Sequence, residues 1–369
     1  MSADESSLVR CPSCSEIAAP GARFCENCGK PLGAAESTVP SEVTLDRAPT
    51  VVDPDPTTGE TARRKCAACG GTIAEDGYCA DCGTPGQSER DHFEERPAAW
   101  VAGVCDRGVR HTRNEDAMAL TATDTFAALV VCDGVSSAPD SDVASLAASR
   151  AARDVLVDYG PEGSSPRVGT TDQRVAGWTK AMVTASRAAS QAVRGVAEQL
   201  AATKGKDVAD DPPSCTFVAA VVDRDLVVAG WLGDSRVYWL PDSGQAEQLS
   251  VDDSWAQEMI AAGVPRAQAE TSPQAHAITR WLGPDAPDTD AHCAATVPSE
   301  PGWLLVCSDG LWNYCSDAHD MGDLVRRFAG HGDPHETAAA LVRWANAQGG
   351  RDNITAALAR IAPTVTEQR

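Results

Sequence analysis

Two textures divide the chain. From about residue 100 onward, short uninterrupted apolar runs alternate with alanine-rich stretches whose apolar groups recur at helical spacing. The runs predict strands at 126–131, 216–222, 226–231, 236–240, 302–307 and 353–361. Helices are expected at about 142–158, 174–202, 254–262 and 334–348, the first with an aspartate at its start. Loops rich in glycine, proline and charge, such as GPEGSSPRVGTTD, separate them. Strands and helices come partly in clusters and do not alternate one for one, which favours an α+β fold over a doubly wound sheet.

The first 86 residues carry too little apolar pattern for a core and contain a repeat instead. Cys11-Pro-Ser-Cys14 followed by Phe24-Cys25-Glu-Asn-Cys28-Gly29 matches Cys66-Ala-Ala-Cys69 followed by Tyr78-Cys79-Ala-Asp-Cys82-Gly83. Two Cys-x-x-Cys turns facing each other make a tetrahedral set of four thiolates, suited to Zn–S bonds of about 2.3 Å. Glycine after the second pair permits the positive φ that such a turn needs. Units this small fold when a structural Zn²⁺ supplies roughly 10 kcal/mol or more. The same ligands would also serve a redox pair or an iron centre, but four cysteines at this spacing, twice, favour zinc, and the motif resembles short bacterial zinc-ribbon modules. Cys11, Cys14, Cys25 and Cys28 are thus one expected zinc site, and Cys66, Cys69, Cys79 and Cys82 a second, both closed and structural. Residues 1–33 and 63–86 are read as the two ribbons. Residues 34–62, rich in Pro, Thr, Ser and acids, are read as a disordered linker.

Composition narrows the field. Of 14 cysteines, those outside the repeat (Cys105, Cys132, Cys215, Cys293, Cys307 and Cys315) form no pairs and read as small interior hydrophobes. No run has the ~18 apolar residues of a membrane span, and the N-terminus lacks a signal pattern, so a cytoplasmic protein without membrane insertion is expected. A formal charge of −22 disfavours general nucleic-acid binding.

The acids are placed unevenly. Apolar strands run into acidic residues at Leu129-Val-Val-Cys-Asp133-Gly134 and Leu304-Leu-Val-Cys-Ser-Asp309-Gly310, and Arg351-Asp352-Asn353 heads another strand. Arg113-Asn114-Glu115-Asp116 and Gly233-Asp234-Ser235-Arg236 add to the set. Carboxylates at strand ends converge off the edge of a sheet, and such a group cannot stay ionised without cations. Hard divalent ions, Mg²⁺ or Mn²⁺, suit an oxygen-only set.

In order, NEDA, VVCDGV, SCTFVAAVV, GDSRVYWL, HAITRWLG, CSDGLWNY and RDNITA resemble the metal-dependent serine/threonine protein phosphatases of the PP2C (PPM) family, over about residues 101–361. The resemblance implies a sandwich of two antiparallel β-sheets flanked by helices, preceded here by the two small zinc ribbons, with residues 97–362 as the phosphatase domain. It implies an enzyme that hydrolyses phosphoserine and phosphothreonine with a metal-activated water at a two-metal Mg/Mn centre. Asp133 would bridge the ions, with Glu115 and the Gly134 carbonyl on one side and Asp309 and Asp352 on the other. Asp116 would hold water, and Asp234 with Asp309 a third, weaker ion. Phosphorylated proteins and an opposing Ser/Thr kinase are the implied partners, with the ribbons for docking or localisation.

The sequence departs from the family pattern at His111, where an arginine usually grips phosphate. Either His111 or its neighbour Arg110 is expected to take that role. His276 reads as a structural loop residue near the family's flap. Asn353 is expected to orient the loop carrying Asp352, and Asp234 has a second reading as a turn carboxylate that orients Arg236. Two other functions are weighed: a weak or inactive phosphoprotein-binding scaffold, against which the complete acidic set argues, and a zinc-ribbon nucleic-acid or protein adaptor, for which Arg63-Arg64-Lys65 is the only basic cluster.

Overall fold

The computed structural model describes residues 9–10, 17–18, 69–74, 79–83, 86, 88–160, 169–204 and 211–362. The chain divides into two units, residues 1–86 and 87–369. In the first, β1 (Val9–Arg10) and β2 (Ile17–Ala18) pair antiparallel, Val9 opposite Ala18. Cys11, Cys14, Cys25, Cys28 and Cys66 lie outside the described residues, as does the expected linker. Further along, Ile73 and Cys79 form an isolated antiparallel bridge, and Gly83, with φ +71°, donates its N–H to the Cys79 carbonyl (2.9 Å). That is the positive φ expected after the second cysteine pair.

Among the described residues, the second unit is built on eleven strands in two antiparallel sheets. The strands are β3 (His92–Ala98), β4 (Val101–Asp106), β5 (Ala117–Ala122), β6 (Phe126–Cys132), β7 (Phe217–Asp223), β8 (Leu226–Leu232), β9 (Arg236–Pro241), β10 (Glu247–Gln248), β11 (His292–Thr296), β12 (Gly302–Cys307) and β13 (Ile354–Ile361). One sheet runs β10-β9-β12-β13-β4-β3 and the other β11-β8-β7-β6-β5. The two-sheet α+β sandwich expected from the resemblance is present.

Alternation along each strand divides its side chains between two cores. Ala127, Leu129 and Val131 of β6 join Val218, Ala220, Val237, Leu304 and Ala357 between the sheets. Phe126, Ala128 and Val130 face the other way, under α1 (Ser141–Tyr159) and α2 (Thr171–Lys204). Ala144, Ala148 and Ala152, four apart on α1, bring that helix close to the strands. On the outside of the other sheet, α6 (Ala318–Phe328) and α7 (Pro334–Gln348) cover Tyr238, Leu240, Trp303 and Leu305. Strands buried on both faces read as continuous apolar runs, and the sequence shows this.

Some elements escape the hydrophobic pattern for physical reasons. Strand β3, His-Phe-Glu-Glu-Arg-Pro-Ala, lies at a sheet edge, where charge and proline are tolerated. Strand β11 is an edge of the other sheet and is mostly half-buried. Helix α6 carries Gly322, where a Cβ would stand 3.1 Å from the Ala246 Cβ, so a break-like residue serves close packing. Short helices α3 (Trp255–Ala261) and α4 (Arg266–Ala269) precede β11, and α5 (Asp309–Trp312) follows β12. No helix among the described residues is long and apolar enough to cross a membrane.

One buried charge anchors the loops between β9 and α5. Arg236 is 1 % exposed, and its Nη2 and Nε donate to Asp252 Oδ2 (2.6 Å) and Oδ1 (2.9 Å). Its Nη1 donates to Tyr238 Oη and the Ser316 carbonyl, both at 3.1 Å, and the guanidinium lies 3.5 Å over the Trp312 ring. Removing one partner of such a pair strands the other charge in the interior. Arg236→Met is expected to lower stability by about 3–5 kcal/mol in urea denaturation. Arg187→Ala, at the exposed Arg187–Asp290 pair, is expected to leave the midpoint unchanged. Equal effects of the two substitutions would contradict this assignment.

Candidate metal centre

Antiparallel register brings the acidic segments to one end of the sandwich. Ala117 at the head of β5 lies opposite Cys132 at the tail of β6, and Phe217 opposite Leu232. Arg236 lies opposite Cys307, and Ile354 opposite Asp106. The residues just outside these pairs therefore share an edge: Asp116, Asp133, Asp234, Asp309 and Asp352.

Hydrogen bonds stitch the two sheets together there. Asp116, wholly buried, accepts from Ser308 Oγ and Thr355 Oγ1, each at 2.6 Å to Oδ2. Asp133 donates its backbone N–H to Thr216 Oγ1 (3.0 Å), and Thr216 returns its N–H to the Asp133 carbonyl (2.8 Å). Trp312 Nε1 donates to the Asp234 carbonyl at 2.9 Å. Asn353 is the main tie: its Oδ1 accepts the Glu115 N–H (2.7 Å), while Nδ2 donates to the carbonyls of Arg107 (2.8 Å) and Arg113 (3.1 Å). The sequence suggested that Asn353 orients the Asp352 loop, and here it fixes the segment carrying Glu115 as well. Two glycines let backbone nest against this loop. A Cβ on Gly108, whose φ is +77°, would stand 2.1 Å from the Asp352 carbonyl oxygen, and one on Gly310 1.9 Å from that of Asn353.

The carboxylates raise one another's pKa values. Burial first, then the charges of Asp116, Asp309, Asp352 and Asp234, push Asp133 well above the usual carboxylate range. Asp309 is raised likewise by burial and then by Asp352, Asp234 and Asp116. Burial and then Asp252 push Asp234 up to about 7, against the opposing charge of Arg236. Asp116 is pushed up to about 6, by burial above all, despite its two hydroxyl donors.

This donor set fits hard divalent cations. It is rich in carboxylate oxygen, and the buried Oδ1 of Asp116 finds no hydrogen-bond donor. Glu115 packs its backbone against Gly134, whose N–H donates to the Glu115 carbonyl at 3.2 Å. Arg113 holds Glu115 through Oε1 alone, Nη2 at 2.6 Å and Nε at 3.0 Å, so Oε2 is left for another partner.

At the rim, His111 Nε2 lies 3.3 Å from Asp352 Oδ1. Arg110 is exposed, and its backbone N–H donates to the Gly350 carbonyl at 3.0 Å. Thus His111 rather than Arg110 reaches the acidic cluster. Arg236 pairs with Asp252, so Asp234 is not spent on orienting it. His276, read from sequence as a loop residue, has Nδ1 3.9 Å from Asp309 Oδ2 and its ring 5.8 Å from that of Trp312. Burial lowers its pKa, which favours the neutral ring. A cavity of about 590 Å³ opens beside the cluster, lined in part by His276, Trp312, Tyr314, Arg351 and Asp352.

Sequence reasoning missed the roles of Arg113, Ser308, Thr355 and Asp252. The hydroxyl of Thr355 inside an otherwise apolar strand was the available signal, since a buried hydroxyl needs a partner. In the first unit, the sulfurs of Cys69, Cys79 and Cys82 lie within 4.8 Å of one another, with Cys69 and Cys79 3.5 Å apart.

A family model described as protein phosphatase 2C matches residues 107–346, and one described as a zinc-ribbon domain matches residues 7–32. Protein phosphatase PhpP of Streptococcus pneumoniae is 38% identical over 143 residues, which are 38% of this chain and 55% of PhpP. The chain therefore spans about half the length of the first curated relatives it matches. Serine/threonine phosphatase stp of Listeria welshimeri is 26% identical over 256 residues, 69% of this chain and 92% of that protein. The solved structure of serine/threonine phosphatase Stp1 from Staphylococcus aureus shares the fold, with a TM-score of 0.55 at 24% identity over 73% of this chain and 98% of that one.

A cluster of mutually repelling carboxylates makes a testable demand on stability. Saturating Mn²⁺, at about 100 times its Kd, is expected to add about 2.7 kcal/mol and raise Tm by roughly 5–10 °C. Without metal, Asp133→Asn is expected to melt above the wild type, because it removes one of the repelling charges, and its Mn²⁺ response should shrink. A metal-free Asp133→Asn chain less stable than wild type, in differential scanning calorimetry, would contradict this.

Proposed function

We propose, from the premise that the chain belongs to the protein phosphatase 2C family, that it is a protein serine/threonine phosphatase whose acidic cleft holds two Mg²⁺ or Mn²⁺ ions. The observation that carries the reading is the convergence of Asp133, Asp309, Asp352, Asp234 and Asp116 on one edge, each raised or raising its neighbours through charge. In this reading Asp133, Glu115, the Gly134 carbonyl, Asp309 and Asp352 would hold the ions, with Asp133 shared between them. When bound, such ions lower the pKa of water and offset charge on the transferring phosphoryl oxygens.

The chain's own residues do the rest. Asp116, fixed by Ser308 and Thr355, presents its unpartnered Oδ1 to accept a proton from water in the cleft. Asn353 keeps Glu115 in register with Asp352. His111 stands at the rim to meet a phosphate oxygen, and exposed Arg110 adds positive charge beside it. The cavity walled by Trp312 and Tyr314 receives the peptide around the phosphorylated residue. No protein nucleophile is required, and burial keeps Cys307 and Cys132 protonated, with the half-buried Cys315 thiol pushed up to about 11.

Phosphorylated proteins are the substrates in this account, and a Ser/Thr kinase is the class of enzyme that supplies them. The setting is cytoplasmic, where paired cysteines stay available as thiolates. Each ribbon holds one structural Zn²⁺: Cys11, Cys14, Cys25 and Cys28 in the first, and Cys66 with the three converging sulfurs in the second. With no open coordination position, their role is docking or localisation.

Two measurements test these assignments. Phosphate release from a phosphothreonine peptide should require Mn²⁺ or Mg²⁺, stop with chelator, and fall by about 10³-fold or more in Asp133→Asn and Asp309→Asn, an effect of roughly 4 kcal/mol or more on the barrier. Release by the wild type without metal, or undiminished release by both variants, would sink the reading. Zinc content by elemental mass spectrometry should be two per chain and drop to one in Cys79→Ser, with hydrolysis of p-nitrophenyl phosphate unchanged. Loss of that hydrolysis would give the ribbon a part in catalysis and contradict the docking role.

A further inference from the structure

We propose that His276 supplies a ring nitrogen to a divalent transition-metal ion held together with Asp234 and Asp309. The inference rests on the reading of Asp309 as part of a cation centre, and adds to it a nitrogen donor that a set of carboxylates alone lacks.

Three observations carry it. One ligand atom each from Asp234, His276 and Asp309 lie within 4.8 Å of one another. Three donors on one ion with bonds of about 2.1 Å stand about 3–4.2 Å apart, so closing the site takes about an ångström or two of side-chain movement. Asp234 is 4 % exposed, and its carboxylate makes no ion pair or side-chain hydrogen bond with another described residue. Its own backbone N–H and the charge of Arg236 offset only part of the cost of burying it beside Asp309. His276 itself is half-exposed and borders the 590 Å³ cavity, so an ion from solvent can reach it.

The chemistry of the donors sets the metal. Carboxylates accept Mg²⁺ and Mn²⁺ alike, whereas imidazole suits Mn²⁺, Fe²⁺ or Zn²⁺ far better than Mg²⁺. This position therefore discriminates among ions where the rest of the cleft does not. It also has a mechanical effect. His276 lies between α4 and Leu282, and Leu282 exchanges backbone hydrogen bonds with Cys215 (2.8 and 3.0 Å). An ion bound through His276 ties this loop to the strand ends that carry Asp234 and Asp309.

The test uses the full, zinc-replete chain titrated with Mn²⁺ and read by pulsed electron paramagnetic resonance for coupling to a directly bound ¹⁴N. The coupling is expected at saturation, absent in His276→Ala and His276→Asn, and retained in His111→Asn, the other histidine at this edge. Titration calorimetry should show the weakest Mn²⁺ site losing about tenfold or more in affinity in His276→Ala, the tighter sites being unchanged. Mg²⁺ should bind wild type and variant equally. If two or more Mn²⁺ ions bind with no nitrogen coupling, or the coupling survives in His276→Ala, the assignment of His276 is overturned while the carboxylate centre stands. If Mn²⁺ does not bind the chain at all, the centre itself fails, and the assignment with it.

Discussion

The repulsion among buried carboxylates at one end of the sandwich is the constraint around which the second unit is organised. Asp133, Asp116, Asp309 and Asp234 are each shifted upward first by burial and then by neighbouring acids. Among the described residues, Arg113 faces this group only through Glu115 and Asp142, and Arg236 is bound to Asp252. The chain thus brings negative charge together without bringing matching positive charge. A fold does so at a cost in stability, and cations recover that cost on binding.

The surrounding structure holds the charges in place against their repulsion. Two antiparallel sheets, each covered by helices on its outer face, fix the strand ends to within a register pair. Hydroxyls of Ser308 and Thr355 reach Asp116 across the gap between the sheets, and the Asn353 amide joins three backbone groups of the segment before β5. On the far side of Asp234, Arg236 sits flat on Trp312 and organises the loop around Asp252. Trp312 has two duties: it supports the buried cation and walls the cavity in which a substrate peptide is read to lie.

Much of this is legible in the sequence. Strands such as β12 and β13, buried on both faces, leave unbroken apolar runs, and the aspartates that follow or precede such runs mark the shared edge. The illegible parts share a physical reason. Edge strands β3 and β11 are stabilised by pairing on one side and need no apolar pattern, so charged and small residues hide them. The partners of Asp116 come from 192 and 239 residues away, and that of Arg236 from 16. Nothing local to those positions announces them. His276 is the clearest case: its sequence surroundings are an ordinary loop, and only the fold sets it beside Asp309.

The central claim is that this edge is completed by a pair of divalent ions. Crystals of the full chain grown with MnCl₂, measured at the manganese absorption edge, test it without reference to activity. The account requires two strong anomalous peaks about 3.5–4 Å apart, one on each side of the Asp133 carboxylate. An Asp133 carboxylate met only by water or by a side-chain cation, with manganese bound elsewhere, would contradict it.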